Sequence, residues 1–273
     1  MRILWIADYS VKEHKGGAQQ TNDVMIQAGR KLGHSISLYT GGSLPKSFDR
    51  YDIIILNNIT KYEKAQIKAL VDTGKCIRYE HDYWVAENYP ELYKDIKHTI
   101  FLSPLHKTIA EEKVKYKINN SSLVPSPIDS SLFQLGEEKE KGTVLWVGNI
   151  CKEKGSDGFI EFVENNPNYS FYIAGWGAEV EPIEDLDNVK FLGELELKDL
   201  VKEYQRCEYF YHRPLWNEPF GRSVIEAYLC GCNLLVSDNV GAISWDWDFS
   251  NYDLIQKKTQ SQSNFWKVVK NAI

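Results

Sequence analysis

The stretch Asn217–Asp238, NEPFGRSVIEAYLCGCNLLVSD, decides how the rest of the chain is read. Ser223 followed three residues later by Glu226 has capping-box spacing, so it predicts the start of a helix. That helix runs over 224–230, packs Ile225, Tyr228 and Leu229, and ends at Gly231; NLLVSD then reads as a strand. The cap accounts for Glu226. It leaves Glu218 and the Gly221-Arg222 pair without a purpose. A glycine at that point lets a ligand come close to the backbone, and the N–H groups of a helix start suit an anion.

Working outward, the same strand–helix alternation continues in both directions. Toward the N-terminus come a strand EYFYHRP, a helix LKDLVKEYQRC, strands NVKFLG and YSFYIAG, a helix SDGFIEFVENN and a strand TVLWVGN. Before these stands LGEEKEKG (135–142), a charged stretch that reads as a linker. Upstream of it the alternation runs again. ILWIA (3–7) is followed by a Gly-rich turn and a helix with Met25, Ala28 and Leu32 on one face, closed by Gly33. SISLYT, YDIIILNN (51–58), KCIRYEH, HTIFLS (98–103) and SSLVPS (121–126) are strands, with YEKAQIKALVDTG an amphipathic helix among them. The unbroken apolar run in YDIIILNN marks a sheet covered on both faces. Alternation of this kind implies parallel βαβ units, here in two halves, 1–135 and 136–273. In such folds ligands bind outside the carboxyl ends of the strands.

Composition narrows the function classes. The 273 residues are 43% hydrophobic and 26% charged, ordinary for a folded domain pair, and no apolar run approaches the ~18 residues of a membrane span. The N-terminus MRILWIADYS has a strand pattern and no signal-peptide architecture, so a cytoplasmic location is expected. A net charge of -6 argues against nucleic acid as a partner. The five cysteines, Cys76, Cys151, Cys207, Cys230 and Cys232, are odd in number and lack CxxC spacing, which supports neither a zinc site nor a disulfide framework. Lysines at 94, 97, 107, 113, 115 and 117 can form a peripheral membrane-facing surface for a lipid-linked acceptor, or simply solvated faces. Neither VGNICKEKG nor GWGAEV completes a G-x-G-x-x-G fingerprint, so a nucleotide-dependent oxidoreductase is disfavoured.

Several ordered segments together resemble the retaining GT-B glycosyltransferases of the GT4-like family, the glycosyl transferases group 1. Glu218 and Glu226 match its E-x7-E pair, and VLWVGNICKEKGSDGFIEF the strand–Gly–Lys-Gly segment that opens its second domain. FYIAGWG is similar to its next strand and Gly-x-Gly turn, and NVKFLGELELKDLVKEY to its nucleobase-receiving segment. LVPSPIDSSLF is similar to its interdomain stretch, and KGGAQQTNDVMIQAGRKLGHSISLYT to the Gly-Gly loop, helix and strand of its first domain. These cover most of residues 1 to 241 in the family's order. The resemblance implies two doubly wound Rossmann-like domains facing each other across a cleft. It also implies metal-independent transfer of a sugar from a nucleotide-sugar donor to a hydroxyl acceptor, a growing glycan or a lipid-linked one. No cofactor is implied, the nucleotide sugar being a co-substrate.

The resemblance also assigns residues. Glu218, Lys154 and His81 are the catalytic set, with Glu218 facing the donor sugar and Lys154 the departing diphosphate. Gly16, Gly17, Asn149, Glu218, Phe220, Gly221, Arg222, Ser223 and Glu226 form the donor site, with Glu226 accepting from the ribose hydroxyls. Apart from the resemblance, Tyr83 and Trp84 can stack on an acceptor sugar or make ordinary core, and His212 with Arg213 at a strand end can contact the donor sugar or phosphate. Two departures stand out: Asn149 replaces the family's usual Arg, and the chain ends soon after NFWKVVKNAI, where the family has a long helix crossing back to the first domain. DWD (246–248) has the letters of a metal motif but reads as a loop, so no metal ligands are assigned. Two alternatives remain: a non-catalytic GT-B partner or nucleotide-sugar-binding subunit, and a GT-B sugar-nucleotide epimerase.

Overall fold

The computed structural model describes residues 1–272 except 178, 181, 182, 184 and 185. The chain folds into two compact units, Met1–Pro127 with Thr259–Ile273, and Ile128–Lys258.

The first unit is built on a six-stranded parallel sheet in the order β2-β1-β3-β4-β5-β6. Its strands are β1 (Arg2–Ile6), β2 (Ser35–Tyr39), β3 (Ile53–Leu56), β4 (Cys76–Tyr79), β5 (His98–Phe101) and β6 (Ser121–Leu123). Every residue of β3 and β4 is buried, as the apolar run requires of strands covered on both faces. The helix Gly17–Lys31 follows β1 and buries Met25 and Ile26. The helix Gln262–Asn271 belongs to this unit: Trp266 Nε1 donates to the Met25 carbonyl at 3.0 Å, and the Phe265 ring packs 4.7 Å from Tyr79 and 5.9 Å from Trp5.

The second unit carries a five-stranded parallel sheet in the order β11-β10-β7-β8-β9. These strands are β7 (Glu140–Asn149), β8 (Ser170–Trp176), β9 (Val189–Gly193), β10 (Cys207–His212) and β11 (Asn233–Val236). Its core gathers Val144, Trp146, Phe159, Phe171, Ile173 and Tyr211. The strand order reverses between β7, the unit's first strand, and β10, which makes that pair the topological switch point.

This division differs from the expected 1–135 and 136–273 at both ends. Residues 128–135 join the second unit because Ile128 and Phe133 are buried, with Phe133 edge-on to Tyr204 at 6.1 Å. The charged linker is in part a strand start: Glu140 opens β7, and Lys139 Nζ donates to the carbonyls of Tyr204 (2.7 Å) and Cys230 (2.8 Å). The C-terminal residues return to the first unit because Phe265, Trp266 and Val269 are apolar at helical spacing and find their burial there.

Candidate functional site

The second unit concentrates its chemistry at the carboxyl ends of β7 and β10. After β7 the chain makes a short turn, Lys152–Lys154, ended by Gly155 in the left-handed region (φ 88°). A Cβ there would lie 2.3 Å from the Arg213 carbonyl oxygen, so only glycine lets this turn sit against the residue that follows β10. The loop after β10 is tied to the same turn by Leu215 N–H donating to the Glu153 carbonyl at 2.9 Å. On its other side, Glu218 N–H donates to the Asn239 carbonyl and Gly241 N–H to the Glu218 carbonyl, each at 2.8 Å. The backbone of Glu218 is therefore fixed from both sides.

These ties bring three side chains together. Lys154 Nζ donates to Glu218 Oε2 at 2.9 Å, and His212 Nε2 approaches the same oxygen at 2.7 Å. Glu218 Oε1 accepts no hydrogen bond among the described residues. Lys154 also lies 4.8 Å from the Trp216 ring centroid, a cation–π position. The His212 ring is buried and stacked on Phe210 (interplanar angle 23°), and its Nδ1 has no partner among the described residues. Burial acts to raise the Glu218 carboxyl pKa. The interactions with His212, followed by the charge and hydrogen bond of Lys154, outweigh it and hold the carboxyl at about 2.

The helix after Glu218 starts differently from expectation. It spans Arg222–Leu229 with Gly221 as its N-cap (φ 81°), and no side chain caps it. A Cβ on Gly221 would meet Val240 Cγ1 at 2.7 Å, so the glycine is required by both conformation and space. The capping box of Ser223 and Glu226 does not form, because the left-handed glycine starts the helix earlier and carries Glu226 past the capping position. Glu226 instead points inward: its Oε1 accepts from Arg222 at 3.3 Å and its Oε2 from the Tyr204 hydroxyl at 3.4 Å. Burial raises its carboxyl pKa against the opposing pull of Arg222.

The other donor-site candidates in this unit fall differently. Asn149 is exposed at the end of β7, in register with Trp176 of β8. Ser223 is half-buried in the first helical turn. Phe220 is 2% exposed, so its side chain belongs to the core and is not presented to a ligand. Asp248 of the DWD stretch accepts from Ser250 N–H and Oγ, and Trp245 stacks on Trp247 at 5.0 Å, so this stretch is a self-bonded loop. Among the described residues no group of three or more His, Cys, Asp or Glu side chains is arranged to hold a metal ion.

The remaining candidates lie in the first unit. Gly16 is the extended N-cap (φ −71°) of the helix that Gly17 opens, again without a side-chain cap. His81 follows β4 with its ring 4.5 Å from Tyr79. Of the two readings of Tyr83, its position favours the core ring: it is 6% exposed and edge-on to His106 at 5.1 Å. Trp84 is half-buried against Tyr89. Of the surface lysines, Lys113 pairs with Glu87, and Lys107 and Lys117 both pair with Glu111. Among the described residues no helix is long and apolar enough to cross a membrane.

Two features of the site were not legible as such. Trp216 carries no motif and acquires meaning only under Lys154. His212 was named as a strand-end donor contact, whereas its near partner is Glu218; the chain offers no local signal for that pairing.

Residues 127–244 match the family model described as glycosyl transferases group 1. The chain is 25% identical over 248 residues to an uncharacterised 42.6 kDa protein of the cps region of Klebsiella pneumoniae, a match covering 78% of this chain and 65% of that protein. The chain thus spans about 65% of the length of the curated relative it matches. Its fold is similar to sucrose-phosphate synthase of Thermosynechococcus elongatus, with a TM-score of 0.74 and 14% identity over 100% of this chain and 94% of that one. It is also similar to Anabaena Alr3699/HepE in complex with UDP and glucose, with a TM-score of 0.66 and 14% identity over 100% of this chain and 93% of that one. These likenesses establish the GT-B fold of two Rossmann-like units.

Proposed function

We propose that the chain is a retaining glycosyltransferase that moves a sugar from a UDP- or GDP-linked donor to a hydroxyl on a growing glycan or lipid-linked acceptor. The observation that carries this reading is the convergence of Lys154, Glu218 and His212 at the switch point of the second unit, next to a helix start without a side-chain cap. The UDP and glucose held by the Anabaena relative support a nucleotide sugar as the donor.

The chemistry follows from charge. Breaking the anomeric C–O bond puts negative charge on the β-phosphate, and Lys154 with the N–H groups at the 221–223 helix start supply preorganised compensation. Positive charge develops on the sugar ring, and the ionised Glu218 faces it and accepts from a sugar hydroxyl. Glu226 takes the ribose hydroxyls. The acceptor oxygen attacks the anomeric carbon from the face the diphosphate leaves, and its proton passes to a donor phosphate oxygen, so atoms balance without a protein base. We further propose His81, Gly16 and Gly17 as donor contacts and Trp84 as an acceptor contact. No cofactor takes part, and the protein works in the cytoplasm, with contact to a membrane surface where the acceptor is lipid-linked.

Asn149 favours a second reading, a non-catalytic nucleotide-sugar-binding subunit, because it puts an uncharged side chain at the end of β7 where the resembling family has a cation. One pair of measurements separates the two. A thermal-shift screen over UDP-, GDP-, ADP- and TDP-sugars finds the donor; a ligand at a hundred times its Kd stabilises by about 2.7 kcal/mol. Slow release of free sugar from that donor supports the enzyme, and binding without release supports the subunit. Turnover is expected to survive EDTA; a loss restored by Mg²⁺ or Mn²⁺ would overturn the metal-independent mechanism.

A further inference from the structure

Glu218 is shared unevenly. Both of its side-chain partners, Lys154 and His212, sit on Oε2, and Oε1 is left without a partner among the described residues. The two neighbours also differ in kind. Lys154 is a long flexible side chain, 23% exposed, that the proposed reaction needs at the diphosphate. His212 is 3% exposed, held at the end of β10 between β7 and β11 and stacked on Phe210, and it has no freedom to follow a ligand.

We infer that His212 is a positioning residue for Glu218: when Lys154 turns from the carboxylate to the donor diphosphate, His212 alone keeps Oε2 anchored and Oε1 aimed at a donor-sugar hydroxyl. This rests on the glycosyl-transfer reading above. The donor therefore exchanges one ion pair for another: Lys154 releases Glu218 and takes the β-phosphate, and the negative charge of Glu218 stays compensated. Without His212 the carboxylate would lose its remaining hydrogen-bond anchor at the moment the sugar ring needs a fixed anion beside it. The groups hydrogen-bonded to the Glu218 carboxylate are the Lys154 ammonium, from the turn after β7, and the titratable His212 ring, from β10. The held-down carboxyl pKa is consistent with both acting on it in the unliganded protein.

The test uses His212→Ala and His212→Gln, the latter keeping a neutral donor. The substrate is the fastest donor among UDP-, GDP-, ADP- and TDP-glucose. His212→Ala should lower kcat about 10²-fold, the usual scale for a misplaced reacting group, while the Kd for the matching nucleoside diphosphate, which lacks the sugar, stays unchanged. His212→Gln should recover part of kcat and keep the thermal unfolding midpoint close to wild type. A His212→Ala protein with wild-type kcat overturns the inference, as does a loss confined to nucleoside diphosphate affinity. Independently, an NMR titration of the Glu218 side-chain carboxyl in the unliganded protein should show its midpoint rising in His212→Ala. If wild type hydrolyses no donor but that midpoint rises, the glycosyl-transfer reading fails and the clamp stands; if the midpoint does not move, the clamp itself is wrong.

Discussion

Each unit places a glutamate against a strand end with positive charge beside it, and the two sites have opposite finish. In the first unit Arg78 and Glu80 have side chains 1% and 0% exposed. They lie two residues apart and so on one face, and Glu80 uses both oxygens: Oε2 accepts from Arg78 Nε at 2.8 Å and from the Tyr93 hydroxyl at 2.7 Å, and Oε1 from Arg78 NH2. Arg78 NH1 is spent on the Leu56 carbonyl at 3.3 Å. Burial, and the charge of Glu80, push the Tyr93 hydroxyl well above its ordinary pKa. In the second unit Glu218 is 15% exposed at its side chain, with two donors on one oxygen and none on the other. A sealed and saturated carboxylate has nothing left for a ligand. A partly open one with an unused oxygen does, and its cations already fix its charge.

The comparison predicts where each substitution is felt. The largest effect is expected at Glu80→Ala, which strands a buried Arg78 and should cost about 3–5 kcal/mol of stability in urea unfolding. Donor hydrolysis by the fraction that remains folded should stay near wild type; a specific loss of turnover at unchanged stability would erase the distinction between the two sites. Next comes Lys154→Ala, with the reverse signature. Removing a cation aimed at developing charge should cut kcat by about 10²–10³, roughly 2.7–4 kcal/mol, with little change in stability. Lys154→Arg should recover part of it, since charge returns with a different reach. Asn149→Arg is expected to raise turnover by placing a second cation at the end of β7. A Lys154→Ala protein with normal kcat/KM would return the 152–155 turn to a solvated loop.

Tyr93→Phe is a smaller probe of the sealed site. It removes one hydrogen bond to an ionised carboxylate, worth about 1.5–3 kcal/mol, and should appear in the unfolding midpoint and not in kcat. The smallest effect concerns Glu226. Its carboxyl pKa is raised in the folded protein, so its contribution to stability is present at low pH and lost as pH rises through that raised value. Donor binding needs the ionised form and should run the other way, weakening as pH falls through the same value. Glu226→Gln should remove that pH limb and weaken the donor by a few-fold, about 1 kcal/mol, as read by calorimetric titration. A pH-independent donor Kd in wild type would take the ribose from Glu226. At the opened site, Glu218 stays charged down to about 2, so its stabilising contribution is present above the ordinary carboxylate range and lost only as pH falls toward that value.

Much of this was readable before any coordinates. The all-apolar run of β3 and the strict alternation of strand and helix predicted parallel sheets, and the sheets are parallel throughout their named pairings. The Gly231 stop is where the helix ends, with Gly231 in the left-handed region (φ 86°). The helix start was misread because Ser223 and Glu226 satisfy a spacing rule, whereas the left-handed Gly221 before them sets the actual cap. Tyr83 and Phe220 look identical in sequence to exposed ligand contacts; only their burial in the fold shows that their rings are core.

What the sequence determined by itself are the local properties: which segments are strands or helices, which glycines permit unusual turns, and that Glu218, Lys154 and Glu226 stand in motif order. Tertiary structure decided what depends on strand order. Lys154 and Glu218 are 64 positions apart and meet only because the crossover connections set β10 beside β7 and bring the loops that follow them together. The same adjacency puts His212 on the oxygen that Lys154 already holds, and closing the C-terminal helix onto the first unit moves the boundary away from the charged stretch. Local chemistry is written residue by residue, but the neighbours of a carboxylate are chosen by the topology that buries the apolar faces.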